Sequence, residues 1–209
     1  MHILTIIGAR PQFIKAAVVS KAIANHGDIS EHIVHTGQHF DANMSDVFFD
    51  EMHIPRPAYM LNCTSNVHGA TTAHMLTGIE PIIRAHKPDL ALVYGDTNST
   101  LAGTLAAAQL HIPIAHIEAG LRSYNKTMPE EINRIITDHV SEYLFCPTRQ
   151  AVENLAQESI TRNVFHVGDV MYDAVVAFGK IAEKKSTILA KLSLQPKKYY
   201  VATVHRAEN

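Results

Sequence analysis

The sequence lacks most of the features that mark specialised protein classes. Only two of its 209 residues are cysteine, Cys63 and Cys146, far apart and in apolar surroundings. Two such thiols cannot build a disulfide framework; they read as small buried groups in a reducing compartment. The formal net charge is −2, without the basic excess that a nucleic-acid partner demands. No apolar run approaches the roughly 20 residues of a membrane-spanning helix. The opening stretch, MHILTIIGARP, turns charged too soon for a signal peptide. A cytoplasmic protein without nucleic-acid or membrane partners is therefore expected. Internal repeats and low-complexity linkers are absent. So are HExxH and any Cys/His cluster at zinc-ligand spacing. The fourteen histidines are scattered, and Gly37 interrupts the one pair four apart that stands out, His35 and His39. Sequence spacing gives no metal site.

What is present is regular alternation. Short apolar runs at 2–7, 32–36, 90–94, 112–117, 143–146 and 164–167 read as strands, with a weaker one near 58–61. Between them lie segments of helical period at 11–25, 43–52, 67–85, 99–109, 129–141 and 149–158. Strands alternating with helices imply βαβ units, right-handed crossovers and a mostly parallel sheet. The expected fold class is α/β, a Rossmann-like parallel sheet of six or seven strands flanked by helices, over residues 1–168. Residues 169–209 depart from this pattern. One long helix or two should run to about residue 192. YYVATV, at 199–204, then reads as a strand without sheet neighbours, the first strand of a truncated second domain. An unpaired strand exposes backbone donors and acceptors. Residues 193–209 are thus expected to pair with another chain or to dock irregularly on the first domain.

Polar groups gather at the ends of the strands. Gly8-Ala9-Arg10-Pro11 combines a glycine turn, a cation and a proline at a helix start, and the free amides there, with Arg10 and Lys15, suit a phosphate. GxGxxG and GxxxxGK[ST] are missing, so this loop says little by itself. Thr36-Gly37-Gln38-His39 follows the second strand, and Gly95-Asp96-Thr97-Asn98-Ser99 follows the 90–94 strand. In the latter, Asp96 or Asn98 serves equally well as a helix cap. Glu118, Gly120 and Arg122 follow the buried 112–117 run; Pro129 then opens a helix with Glu130 and Glu131 in its first turn. Two acids at a helix start are ordinary N-terminal chemistry, but that does not explain Glu118. In parallel sheets all these loops share the carboxyl edge, where ligands bind. Carboxylates crowded into one cleft would have raised and coupled pKa values.

Taken in order, GARPQFIK, TGQH, VYGDTNST, HIEAGLRS, MPEEINR, TDH and HRAEN resemble the non-hydrolysing UDP-N-acetylglucosamine 2-epimerases. The resemblance implies two Rossmann-like domains facing across a cleft in the glycosyltransferase-B arrangement, with this chain similar to the first domain and the start of the second. It implies inversion at C2 of a UDP-sugar without a metal or redox cofactor. UDP leaves C1 as C2 loses its proton, giving a glycal, and adds back after protonation from the other face. On this match Asp96, Glu118, Glu130 and His205 are acid–base and positioning groups. Arg10, Lys15 and Arg122 bind substrate, and Gln38 and His39 touch a second, activating UDP-sugar. The implied partner is a UDP-sugar, the assembly a homodimer, and the role supply of surface-polysaccharide precursors. GARPQFIKA and the short loop before PEE also resemble enzymes that epimerise a UDP-linked diacetamido uronic acid. An inactive binding module and a hydrolysing relative are the other classes left open.

Overall fold

A computed structural model describes residues 1–39, 45–63 and 67–204. Seven strands, β1 (His2–Ile7), β2 (Ser30–His35), β3 (Tyr59–Met60), β4 (Leu90–Tyr94), β5 (Ile114–Ile117), β6 (Tyr143–Cys146) and β7 (Val164–His166), form one sheet of order β3-β2-β1-β4-β5-β6-β7. Every pairing is parallel. Among the described residues eight helices accompany it: α1 (Arg10–Ala24), α2 (Asp46–Glu51), α3 (His68–His86), α4 (Asn98–Gln109), α5 (Pro129–Val140), α6 (Arg149–Gln157), α7 (Val170–Lys185) and α8 (Ile188–Lys191). The α/β reading and the strand positions hold.

The strands are apolar throughout because both faces of the sheet are covered, as in parallel sheets generally. Leu4, Ile6, Val34, Ala91, Val93 and Ile114 pack with Met75, Ile79 and Ile83 of α3 and with the alanines of α4. Ile3, Ile7, Ile33, Leu92, Tyr94 and Ile117 face the other way, onto Phe13 and Ala16 of α1, with Val170 and Phe178 of α7 packed against them. A smaller cluster, Leu144, Cys146, Ala151 and Leu155, seats α6. Both cysteines are free and buried, and burial pushes the Cys146 thiol up to about 12. Among the described residues no helix is long and apolar enough to cross a membrane.

The chain builds outward from β1 through β2 to β3, then returns by α3 to place β4 on the other side of β1. Crossovers on the two sides of β1 and β4 therefore diverge, and a crevice opens at the carboxyl ends of these strands. Five loops or helix starts reach that edge.

One expected element is not formed. Residues 199–204 are irregular, with Tyr200, Val201 and Val204 at 104%, 80% and 74% exposure. Strand-forming composition does not make a strand without a partner for its backbone groups. Neither does this stretch dock closely on the sheet. Residues 205–209, and so His205, lie outside the described residues, as does the start of the helix expected from 43.

Gly8 closes β1 where three loops touch. A Cβ there would stand 1.8 Å from Thr36 Oγ1 and 2.6 Å from Ser99 Oγ, and those two hydroxyls are themselves bonded at 2.7 Å. Gly8→Ala is expected to cost about 2 kcal/mol or more in denaturant unfolding, because overpacked cores relax poorly. Gly27→Ala, which meets nothing within 4 Å, should change stability by less than about 0.5 kcal/mol.

Candidate active site

The loops at the carboxyl edge are laced together by side chains near the helix starts. Gln12, buried in the first turn of α1, accepts from the amides of Gly8 (2.8 Å) and Ala9 (3.0 Å) and donates to the Tyr94 carbonyl and Thr100 Oγ1. Gln38 accepts from the Ser99 amide at 3.1 Å and from its hydroxyl at 2.8 Å. The Arg10 amide donates to His39 Nδ1 at 3.0 Å, and the His39 amide to the Gly8 carbonyl at 2.7 Å. Gln38 and His39 thus tie the β2 loop to the starts of α4 and α1, and the Arg10 side chain is exposed beside them.

Glu118 ends β5 in a left-handed conformation, φ +76°. A residue with a Cβ rarely adopts this outside functional or strained sites. Its amide and that of Ala119 both donate to the Phe145 carbonyl, so the turn is held by β6. The carboxylate forms an ion pair with Lys15 Nζ. Gly95 leaves room for that pair, since a Cβ there would lie 3.4 Å from each partner atom. Burial lowers the Lys15 pKa, Arg134 adds to that shift, and Asp96 and Asp169 oppose it.

Asp96 is not the helix cap. Thr97 caps α4, its hydroxyl accepting from the Thr100 amide at 3.3 Å, and Asp96 pairs with Arg134 of α5 instead. Arg134 also bonds Glu131 at 2.7 Å. The crowded carboxylates of the cleft are therefore separated by cations rather than left to repel one another.

The two glutamates that open α5 have different surroundings. Glu130 is exposed. Glu131 is 1% exposed and accepts from the Ser123 amide (2.9 Å), Ser123 Oγ (3.0 Å) and the Tyr124 amide (2.8 Å). Its carboxylate staples the loop that carries the chain from Glu118 back to α5.

Arg122, expected to bind substrate, is held by carboxylates of the protein itself. Its guanidinium is 1% exposed and committed to Asp138 at 2.6 Å and to both oxygens of Glu158 at 2.6 and 2.7 Å. Burial opposes its charge, but Glu158 and Asp138 hold its pKa above the ordinary value. It is scaffold beneath the Glu118 turn. Asp138 is the node of that scaffold. It also accepts from the Gly120 amide at 3.1 Å and from His116 Nδ1 at 2.7 Å. Burial would raise the Asp138 pKa, yet His116 and Arg122 hold it below the usual carboxylate value. The other His116 nitrogen donates to the Gly95 carbonyl at 2.8 Å. Sequence reading missed this network, although a histidine in an otherwise apolar buried strand signalled it.

A family profile described as UDP-N-acetylglucosamine 2-epimerase matches residues 21–209. The chain belongs to this family. A UDP-N-acetylglucosamine 2-epimerase homolog of Methanococcus maripaludis is 57% identical over the whole chain. So is the UDP-2,3-diacetamido-2,3-dideoxy-D-glucuronate 2-epimerase of Pseudomonas aeruginosa. The chain spans 58% of the length of each of these relatives. Among solved structures, the Methanocaldococcus jannaschii UDP-GlcNAc 2-epimerase, in complex with UDP-GlcNAc and UDP, superposes with a TM-score of 0.89 at 45% identity. The match covers 92% of this chain and 53% of that one. The sheet described above is the epimerase family's first Rossmann-like layer, in a fold of glycosyltransferase-B type.

The Glu131 clamp yields a pH-dependent expectation. Burial alone would raise this group, but hydrogen bonds from Ser123, Arg134 and Tyr124 hold it at about 2 against an ordinary 4.5. Its contribution, about 3 kcal/mol, is complete above pH 4.5 and is lost as pH falls toward 2. Glu131→Gln should lower stability by about that amount at pH 7. The gap between wild type and variant should close between pH 5 and pH 2 in equilibrium unfolding.

Proposed function

We propose that this protein is a UDP-N-acetylglucosamine 2-epimerase, interconverting UDP-GlcNAc and UDP-ManNAc by elimination and re-addition of UDP. Residues 1–168 are its first domain, and 169–209 lead into a second. The observation that carries the reading is the pairing of two carboxylates with two cations, Glu118 with Lys15 and Asp96 with Arg134, at the divergence of β1 and β4.

That pairing suits the chemistry. The C2 proton has no adjacent carbonyl to acidify it, so its loss must be coupled to departure of the diphosphate from C1. A diphosphate entering beside Arg10 competes for Lys15 and releases Glu118 from its ion pair. The freed carboxylate is then able to take or return the C2 proton as charge develops on the leaving group. Asp96, steadied by Arg134, and the exposed Glu130 complete the acid–base set, to which the family match adds His205. The exposed apolar residues of α7, Tyr172, Val175 and Val176, are in keeping with a covering domain that keeps water from the glycal.

A second reading concerns the sugar alone. The diacetamido glucuronate epimerase is 57% identical to this chain, whereas the UDP-N-acetylglucosamine 2-epimerase of M. jannaschii is 45% identical. This favours a UDP-linked diacetamido uronic acid as a competing substrate for the same chemistry.

Each UDP-sugar, incubated in deuterium oxide with the protein carrying its second domain and followed by NMR, tests both readings. The manno epimer should appear with deuterium at C2, and the ratio of kcat/KM between the two sugars decides the substrate. Accumulation of free UDP and free sugar would instead indicate a hydrolase. The 209 residues alone should give little turnover. Glu118→Gln in the two-domain protein should lose about a hundredfold or more in kcat with an unchanged Tm; equal turnover would make Glu118 structural.

A further inference from the structure

Three imidazoles meet at the amino edge of the sheet, the end opposite the candidate active site. His2 opens β1, His32 is the third residue of β2 and His86 is the last of α3. One ring nitrogen from each lies within 4.8 Å of the others. His2 Nε2 and His32 Nδ1 are 2.8 Å apart, and the ring centroids are separated by 4.7, 5.4 and 5.8 Å. All three rings are half-buried.

The fold, not the spacing in sequence, makes this cluster. Side chains alternate along a strand, so His2 shares the face of Leu4, and Leu4 is paired with His32 on β2. Helix α3 covers that same face and ends at the amino edge, as a crossover helix of a parallel sheet must.

A hydrogen bond between two imidazoles uses one donor and one acceptor, and leaves the group with further lone pairs facing inward. Burial, then His32 and His86, lower the His2 pKa. Neutral imidazoles at this separation are ligands for a borderline transition-metal ion. Zinc–nitrogen bonds of about 2.0–2.1 Å put neighbouring nitrogens about 3.3 Å apart, which lies between the 2.8 Å of the His2–His32 pair and the 4.8 Å that bounds the group. Two supporting groups stand alongside. The Tyr59 hydroxyl bonds His86 Nε2 and fixes that ring, as outer partners of metal-bound histidines do. Asp89 Oδ2 accepts from the His2 amide at 2.7 Å and so fixes the start of β1.

We propose that His2, His32 and His86 form a binding site for a divalent transition-metal ion of zinc type. It clamps the starts of β1 and β2 to the end of α3, and it is distinct from the carboxyl-edge cleft.

The test uses tag-free protein stripped with a chelator and titrated calorimetrically with zinc chloride, with cobalt(II) as the spectroscopic probe. One saturable equivalent at micromolar affinity or tighter is expected. Zinc, but not magnesium, should raise Tm, and cobalt should give the visible absorption of a four-coordinate, nitrogen-rich site. His32→Asn and His86→Gln should each weaken zinc binding at least about tenfold, while His74→Gln, at an exposed position on α3, should leave it unchanged. If His32→Asn fails to fold, His2→Gln at the open edge serves in its place. The proposal is overturned if zinc does not saturate the chain at tens of micromolar. It is equally overturned if the cluster variants bind as tightly as His74→Gln, which would put the ion on other histidines.

Discussion

The carboxyl edge depends on one buried carboxylate. Asp138, on α5, receives hydrogen bonds from His116 on β5, from the Gly120 amide in the following turn and from Arg122, which in turn grips Glu158 at the end of α6. A bare carboxylate in that position would cost several kcal/mol. Three donors, the Arg122 guanidinium among them, offset the cost and fix the geometry of everything attached to them. Because His116 reaches the Gly95 carbonyl, the same node sets the height of the β4 loop relative to the β5 turn. The relative placement of Asp96 and Glu118 is inherited from groups that do not themselves face the cleft.

The rim of the crevice is organised by opposite logic. Its carboxylates are partly exposed and their cationic partners are single and replaceable, so charge there can be redistributed when an anion arrives. Below it, each charge is held by several bonds and cannot move. Glu118 sits at the boundary, its backbone held in the left-handed region by the Phe145 carbonyl and its side chain held only by Lys15. Rigid backbone with a labile side-chain partner is an arrangement suited to a proton carrier.

The sheet was legible because buried parallel strands are short apolar runs, and every such run from β1 to β7 was paired as parallel strands require. The carboxyl-edge loops were legible because topology alone brings them together. The charge pairing was not. Arg122 follows a carboxylate and a glycine, which reads as a ligand-binding cation, but its partners are 16 and 36 residues further on and only folding assigns them. Glu130 and Glu131 are indistinguishable as helix-start acids until one turns inward. The 199–204 segment has the composition of a strand, and it fails because pairing is a property of neighbours. His2, His32 and His86 escape any spacing rule, since a sheet and a crossover supply their proximity.

The bare face of α7 has a colloidal consequence. Tyr172, Val175 and Val176 lie one turn apart on the side of α7 away from its packing against α1, and they are 68%, 64% and 45% exposed. They give the chain an exposed apolar flank. Sedimentation or scattering on these 209 residues would then register concentration-dependent, salt-insensitive stickiness at that flank. An oligomeric state inferred from it would describe the flank and not a subunit interface built for symmetry.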